Sequence, residues 1–184
     1  VDYYHDRLLK TPVALDYLRG RGLCHDEALR AFRLGFSDRT LGLRLPYMNR
    51  KEGEAIRTRL QTLGLIRESG HEHFNGSIVL PIYEYTGHAC PAAGGGADHA
   101  KRVVEMYGRK IGERLRPGTP KHLYLPGPHE GIWNAEALDG GEVILCEAAF
   151  DALTFWVHGF HNVTFIYGTE GFPDYLFDAI LQRR

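Results

Sequence analysis

Cysteine is scarce in this chain. Cys24, Cys90 and Cys146 are odd in number and far apart, and no C-x-x-C pair occurs. That pattern supports neither a disulfide framework nor a zinc ribbon, and it suits a reducing, cytoplasmic setting. Long apolar runs are missing too. Nothing approaches the ~20 residues that cross a bilayer, so no membrane partner is expected, and no charged-then-apolar signal segment opens the chain. The chain begins "VDYYHDRLL" without an initiator Met and reads as an excised segment of something longer. The pattern G-x-x-x-x-G-K-[ST] does not occur, so these residues contain no helicase or ATPase phosphate loop. G-x-S-x-G and H-E-x-x-H are missing as well. "GGGAD" lacks the strand-then-helix setting of a dinucleotide site. No internal repeat is present.

What is there is an ordinary globular composition: 184 residues, 43% hydrophobic and 24% charged, enough for one large domain or two small ones. Residues 1–36 read as helical, with Thr11-Pro12 as a helix start and a second start near Asp26. "LGFSDRTLG" reads as a connection. Residues 50–63 form a helix with Ile56, Leu60 and Leu63 on one face, stopped by Gly64. From about residue 74 the texture turns β-branched and aromatic. "SIVLPIYEYTG" and "RVVEMYGRKI" predict antiparallel strands, and the glycine-rich "CPAAGGGADHA" between them reads as a mobile loop. The prolines of "TPKHLYLPGPHEGIWN" make it extended. "EVILCE" (142–147) suits a strand buried on both faces, "AFDALTFWVHGF" a helix stopped by Gly159, and "NVTFIYG" (162–168) a second strand. "FPDYLFDAILQRR" closes with Pro173 in the first turn of a helix. Strand–helix–strand–helix implies a parallel, right-handed βα unit. A sheet of two strands is small, which suggests further strands in the parent protein. The fold class is therefore α+β: a helical N-terminal part and an antiparallel or mixed sheet, followed by a βα module.

Charge is unevenly spread although the formal total is −1. Residues 101–121 hold seven Lys or Arg and two Glu, a net of +5, whereas residues 139–178 hold seven Asp or Glu and no Lys or Arg. Such blocks are either solvated faces or a basic surface for phosphates beside an acidic surface for cations. In open parallel sheets, ligands gather beyond the carboxyl ends of the strands. Glu147 lies at the end of the first predicted strand, Asp151 follows one helical turn later, and Gly168-Thr169 ends the second. Two carboxylates there suit Mg²⁺, which takes a few carboxylates plus water and phosphate. The same residues could instead serve the start of the following helix, where negative charge complements the helix dipole. Tyr107, Tyr124 and Trp133, close to the basic segment, could stack on bases or pack in a core. His71, His73, His88, Cys90 and His99 offer zinc-ligand chemistry or simply a histidine-rich surface loop.

In this setting "VILCEAAFDALTFWVHGFHNVTFIYGT" resembles the opening of a TOPRIM domain, the metal-binding module of primases and topoisomerases. Upstream, "ALDYLRGRGLCHDEALRAFRLGFS", "FNGSIVLPIYEYTG", "YGRKI" and "TPKHLYLPGPHEGIWN" resemble, in the same order, motifs of the polymerase core of DnaG-type bacterial primases. "LYLPGPHEGIWN" and "VILCEAAFDALTFW" are most similar to primase-like proteins of mobile elements. The resemblance covers nearly the whole chain. It implies a primase-core N-terminal subdomain over residues 1–138 and a partial, Rossmann-like TOPRIM domain over 139–184.

Carried over by position, the resemblance implies that Glu147 is a metal-site residue and acid/base group, and that Asp151 is the acidic position one turn later. It implies that Arg109 and Lys121 contact template or nucleotide phosphates, and that Gly168 ends the second strand. It further implies Mg²⁺ or Mn²⁺ as cofactor, single-stranded DNA and ribonucleoside triphosphates as partners, and a helicase in the parent system. The chemistry would be metal-assisted nucleotidyl transfer making short RNA primers. Two departures stand out. Ala148 replaces the glycine that usually follows the glutamate, and Tyr124 replaces the asparagine of Pro-Lys-Tyr-Leu-Asn. The paired aspartates of the next TOPRIM strand would lie beyond Arg184, so this segment alone is expected to hold Mg²⁺ weakly and not to polymerise. The alternatives are a non-catalytic nucleic-acid-binding module and a TOPRIM-type nuclease fragment.

Overall fold

A computed structural model describes residues 1–85, 102–112, 114–168 and 172–182. In chain order the elements are α1 (Asp2–Leu9), α2 (Pro12–Arg19), α3 (Asp26–Ala31), β1 (Gly35–Ser37), α4 (Leu41–Arg44) and α5 (Lys51–Thr62). There follow β2 (Ser77–Tyr83), β3 (Val103–Lys110), β4 (His122–Tyr124), a 3-10 turn (Ala135–Asp139), β5 (Ile144–Cys146), α6 (Ala149–Val157), β6 (Val163–Phe165) and α7 (Asp174–Gln182). Four strands form one sheet in the order β1-β2-β3-β4, and β5 pairs with β6 in a second. Among the described residues no helix is long and apolar enough to cross a membrane. The chain divides into two compact units. One comprises residues 1–18, 33–80 and 106–128, the other 19–32, 81–105 and 129–184.

In the first unit β1 runs antiparallel to β2, with Gly35 opposite Val79 and Ser37 opposite Ser77. α1 lies against β1 at van der Waals distance because Gly35 has no side chain: a β-carbon there would sit 2.6 Å from Tyr4 Cβ and 2.9 Å from Val79 Cγ2. Polar ties fix the same junction. His5 Nδ1 is 2.7 Å from the Leu34 carbonyl, and the Arg7 guanidinium meets Asp38 at 2.5 Å. The buried Glu72 carboxylate accepts from Ser37 Oγ at 2.6 Å and from the Leu41 amide at 2.8 Å. A buried carboxylate with two donors avoids the cost of an unpaired one. β3 and β4 are antiparallel, pairing Tyr107 with Tyr124, Gly108 with Leu123 and Arg109 with His122. Gly108 is again a close approach, since a β-carbon would lie 2.3 Å from the fully buried Phe74 ring.

The second unit is built around a parallel pair. Ile144, Leu145 and Cys146 face Val163, Thr164 and Phe165 across the ladder. α6 connects them and buries Ala149, Phe150, Ala152, Leu153 and Trp156, a spacing of three and four that lays one apolar face on the strands. The helix ends where Gly159 adopts φ +91°, a left-handed stop that glycine takes without strain. Phe32 bridges two indoles, its ring centroid 4.3 Å from Trp133 and 5.0 Å from Trp156. α7 packs Leu176 and Ala179 with Ile132 and Leu138. Asn134, in a left-handed conformation at φ 51°, uses both hydrogens of its amide. They bond the His161 carbonyl at 2.8 Å and the Val163 carbonyl at 2.7 Å, which tethers the entry to β6.

The α+β class expected from the sequence is the one observed, with the long helix, the antiparallel strands and the parallel βα unit in their expected order. Several local expectations change. Gly35–Ser37 is a strand rather than a connection, because β2 offers it a partner edge. α4 and the 3-10 turn were not anticipated. The Thr11 hydroxyl turns back to the Arg7 carbonyl at 2.6 Å instead of capping α2. β5 is not buried on both faces: Leu145 is 40% exposed. The glycine-rich stretch, with His88, Cys90 and His99, lies outside the described residues, as does Thr169.

Two substitutions test these packings. Gly35→Ala should lower stability by about 1–3 kcal/mol through overpacking, seen as a fall of several degrees in Tm. Asn134→Ala removes two hydrogen bonds and should cost about 1–3 kcal/mol, read as a lower urea midpoint at unchanged m value.

Candidate functional site

The strand-end glutamate is held by its backbone. Beyond the last ladder residue the Ile166 amide donates to the Cys146 carbonyl at 2.9 Å, and the Gly168 amide donates to the Glu147 carbonyl at 3.2 Å. These bonds continue the parallel pairing for one more step on each side and fix Glu147 at the mouth between the two strands. The helix-cap explanation of Glu147 fails on position. The N-cap of α6 is Ala148, which has no capping side chain. Asp151 occupies the first turn of α6, where the dipole favours a carboxylate. Both side chains are exposed, and among the described residues neither carboxylate has an ion-pair partner. The two acidic groups do not share the helical face that their spacing predicts: α6 begins at Ala149 after an extended Ala148, so Glu147 stands in the strand-to-helix turn and only Asp151 is on the helix.

A hard cation fits this donor set. Mg²⁺ is commonly held by one or two carboxylates and keeps several waters, and exposed carboxylates leave room for them. Among the described residues there is no group of three His, Cys, Asp or Glu that could hold a metal ion, so these two carboxylates would need further ligands to bind one. Cys146 lies between the ladder and Glu147. Its thiol is buried, and burial together with the negative charge of Asp151 pushes it above its ordinary pKa. At Gly168, φ +113°, nothing among the described residues lies within 4 Å of where a side chain would stand.

The two basic residues singled out from the sequence, Arg109 and Lys121, belong to the first unit, on β3 and immediately before β4. The ladder brings them close. Arg109 pairs with His122, and the Lys110 amide bonds the Lys121 carbonyl at 3.0 Å. Arg109 is half-buried. Its Nε donates to Tyr17 Oη at 3.0 Å and its Nη1 to His122 Nε2 at 3.1 Å. A guanidinium only donates, so Nε2 of His122 is the acceptor, and the proton sits on Nδ1, which faces Tyr107 Oη at 2.8 Å. Burial pulls Arg109 towards a lower pKa, but the bonds to Tyr17 and Tyr107 outweigh it and hold the charge more firmly than usual. Lys121 is exposed. One residue is therefore a fixed cation and the other a reaching one.

The aromatic residues divide differently from a simple base-stacking surface. Tyr107 is fully buried and Trp133 is 3% exposed, so both are core residues. Tyr124 is half-buried, 5.4 Å from Tyr107 by ring centroid, and its carbonyl is 2.7 Å from His73 Nε2. Sequence reasoning missed the network of Tyr17, Arg109, His122 and Tyr107, because Tyr17 and Arg109 are 92 positions apart. It also missed Glu105 and His129, which meet in the second unit at 2.8 Å. No local signal marks either contact.

No family model matches the chain. A DNA primase of Deinococcus radiodurans is 30% identical over 185 residues, covering 92% of this chain and 28% of that protein. A DNA primase of Aquifex aeolicus is 26% identical over 181 residues, covering 91% of this chain and 32% of that protein. The chain thus spans about a third or less of the curated relatives it matches. Among solved structures, a DnaG primase catalytic domain bound to single-stranded DNA superposes with a TM-score of 0.65 at 21% identity, covering 91% of this chain and 52% of that one. The fold is that of the DnaG catalytic core, and together with the sequence relatives it supports reading this chain as a segment of a DNA primase.

Proposed function

We propose that the longer protein carrying this chain makes short RNA primers on single-stranded DNA, and that residues 139–184 begin its TOPRIM metal-binding module. The observation that carries this reading is the placement of Glu147 and Asp151, two exposed carboxylates at the carboxyl end of a parallel strand with no ion-pair partner among the described residues. They would hold Mg²⁺ or Mn²⁺, and a divalent ion there stabilises the charge that develops on phosphoryl oxygens during in-line displacement. Glu147, fixed through its own carbonyl, orients its carboxylate at the strand mouth. Arg109 and Lys121 would contact phosphates of the template or of the incoming ribonucleoside triphosphate, the first pre-oriented by Tyr17 and His122, the second adapting to the strand. Single-stranded DNA as template is supported by the bound strand in the related catalytic domain. The wording of the strand-end and Pro-Gly-Pro segments favours a mobile-element protein acting with a helicase in the cytoplasm.

Two experiments on the full-length protein test this. Glu147→Gln should reduce primer synthesis on the order of 100-fold or more with single-stranded DNA affinity retained. Unchanged synthesis would refute the metal role of Glu147, and absence of primer synthesis by the unmutated protein would leave a non-catalytic nucleic-acid-binding module. Lys121→Ala should weaken DNA binding for all sequences and lower the slope of log K against log salt by about one. An unchanged slope would remove Lys121 from the phosphate contacts.

A further inference from the structure

The second unit holds a set of oriented polar side chains outside the Glu147–Asp151 pair. Glu105, on β3, has a side chain only 2% exposed, and His129 Nδ1 lies 2.8 Å from its Oε2. A carboxylate has no hydrogen to give, so Nδ1 is the donor and Nε2 occupies the opposite edge of the ring. The His129 ring stacks on Tyr167, with centroids 4.6 Å apart and planes 7° from parallel. The Tyr167 hydroxyl in turn bonds the Glu130 carbonyl at 2.8 Å and the Gly131 carbonyl at 3.0 Å. The ring is therefore fixed in rotation by Glu105 and in tilt by Tyr167, yet the side chain is still 36% exposed.

The place of this ring is as telling as its support. Tyr167 immediately follows β6, and the next residue, Gly168, is the one whose amide bonds the Glu147 carbonyl and whose open side faces empty space. His129 thus stands at the carboxyl end of the parallel strands, the end at which such sheets bind ligands. Proteins orient a working histidine by giving its far nitrogen to a carboxylate.

We propose that His129 is a nucleotide-positioning residue: Glu105 and Tyr167 fix its ring so that Nε2 meets a phosphate oxygen of the nucleoside triphosphate bound beside Glu147. The proposal rests on the primase reading for the identity of the ligand, and it adds a residue that the sequence resemblance does not include.

The discriminating variant is His129→Asn in the full-length protein. Asparagine keeps an N–H close to the Nδ1 position, so Glu105 stays paired, but it deletes the Nε2 edge. Nucleoside triphosphate binding in the presence of Mg²⁺, measured by calorimetry, should weaken about tenfold or more, with Tm and single-stranded DNA affinity at wild-type values. Wild-type nucleotide affinity in the variant overturns the proposal. A second measurement uses the unmutated protein: adding Mg²⁺ and inorganic pyrophosphate should shift the ¹⁵N resonance of His129 Nε2. Pyrophosphate that binds without moving that resonance also overturns the proposal, whether or not the variant folds. Wild-type protein that binds neither nucleotide nor pyrophosphate overturns the primase reading itself, and the role of His129 with it.

Discussion

The second unit depends on the parallel pairing of β5 with β6 and on the two amide bonds that carry it past the end of β5. Parallel ladders are satisfied only when each strand has a partner in register, and here register also decides chemistry. A shift by one residue would turn Cys146 outward and Glu147 inward, burying a carboxylate with no donor to meet it. The amides of Ile166 and Gly168 prevent that slip by capturing the carbonyls of Cys146 and Glu147. α6 then needs no capping side chain at Ala148, because the helix is anchored by the five residues it buries and not by its first turn.

In the first unit the comparable constraint is closeness of backbone. Gly35 lets α1 reach β1, and Gly108 lets the Phe74 ring lie on β3. In the same unit Arg109 bonds Tyr17 and His122, so a cation on the sheet acquires a fixed direction. A phosphate-binding arginine that is pre-oriented loses less side-chain freedom on binding than a free one.

Much of this architecture was legible in the sequence because it is periodic. The change from the apolar run 142–146 to a three-and-four spacing marks the β5–α6 junction, and glycine at 159 marks its end. β1 was not legible. Three residues cannot show alternation, and its strand character exists only because β2 lies beside it. The aromatic residues were ambiguous for a related reason. Tyr107 and Trp133 have the chemistry of base-stacking residues, and only their burial removes them from that role. Glu147 and Asp151 were legible as acids at a strand end and in the helix that follows, but not in their mutual placement, since α6 begins only at Ala149. Glu105 and His129 were not legible as partners, since they are 24 positions apart and the chain between them must fold before they meet.

Cys146 adds a consequence for metal choice. It is the residue before Glu147, and as a thiolate it would offer sulfur, a soft donor that favours Zn²⁺ over Mg²⁺. Burial and the neighbouring Asp151 raise the thiol above its ordinary pKa, and the thiolate is the form that acts as nucleophile and ligand. Asp151 therefore disfavours the thiolate form of the sulfur that precedes Glu147, and weights the described strand end towards oxygen donors.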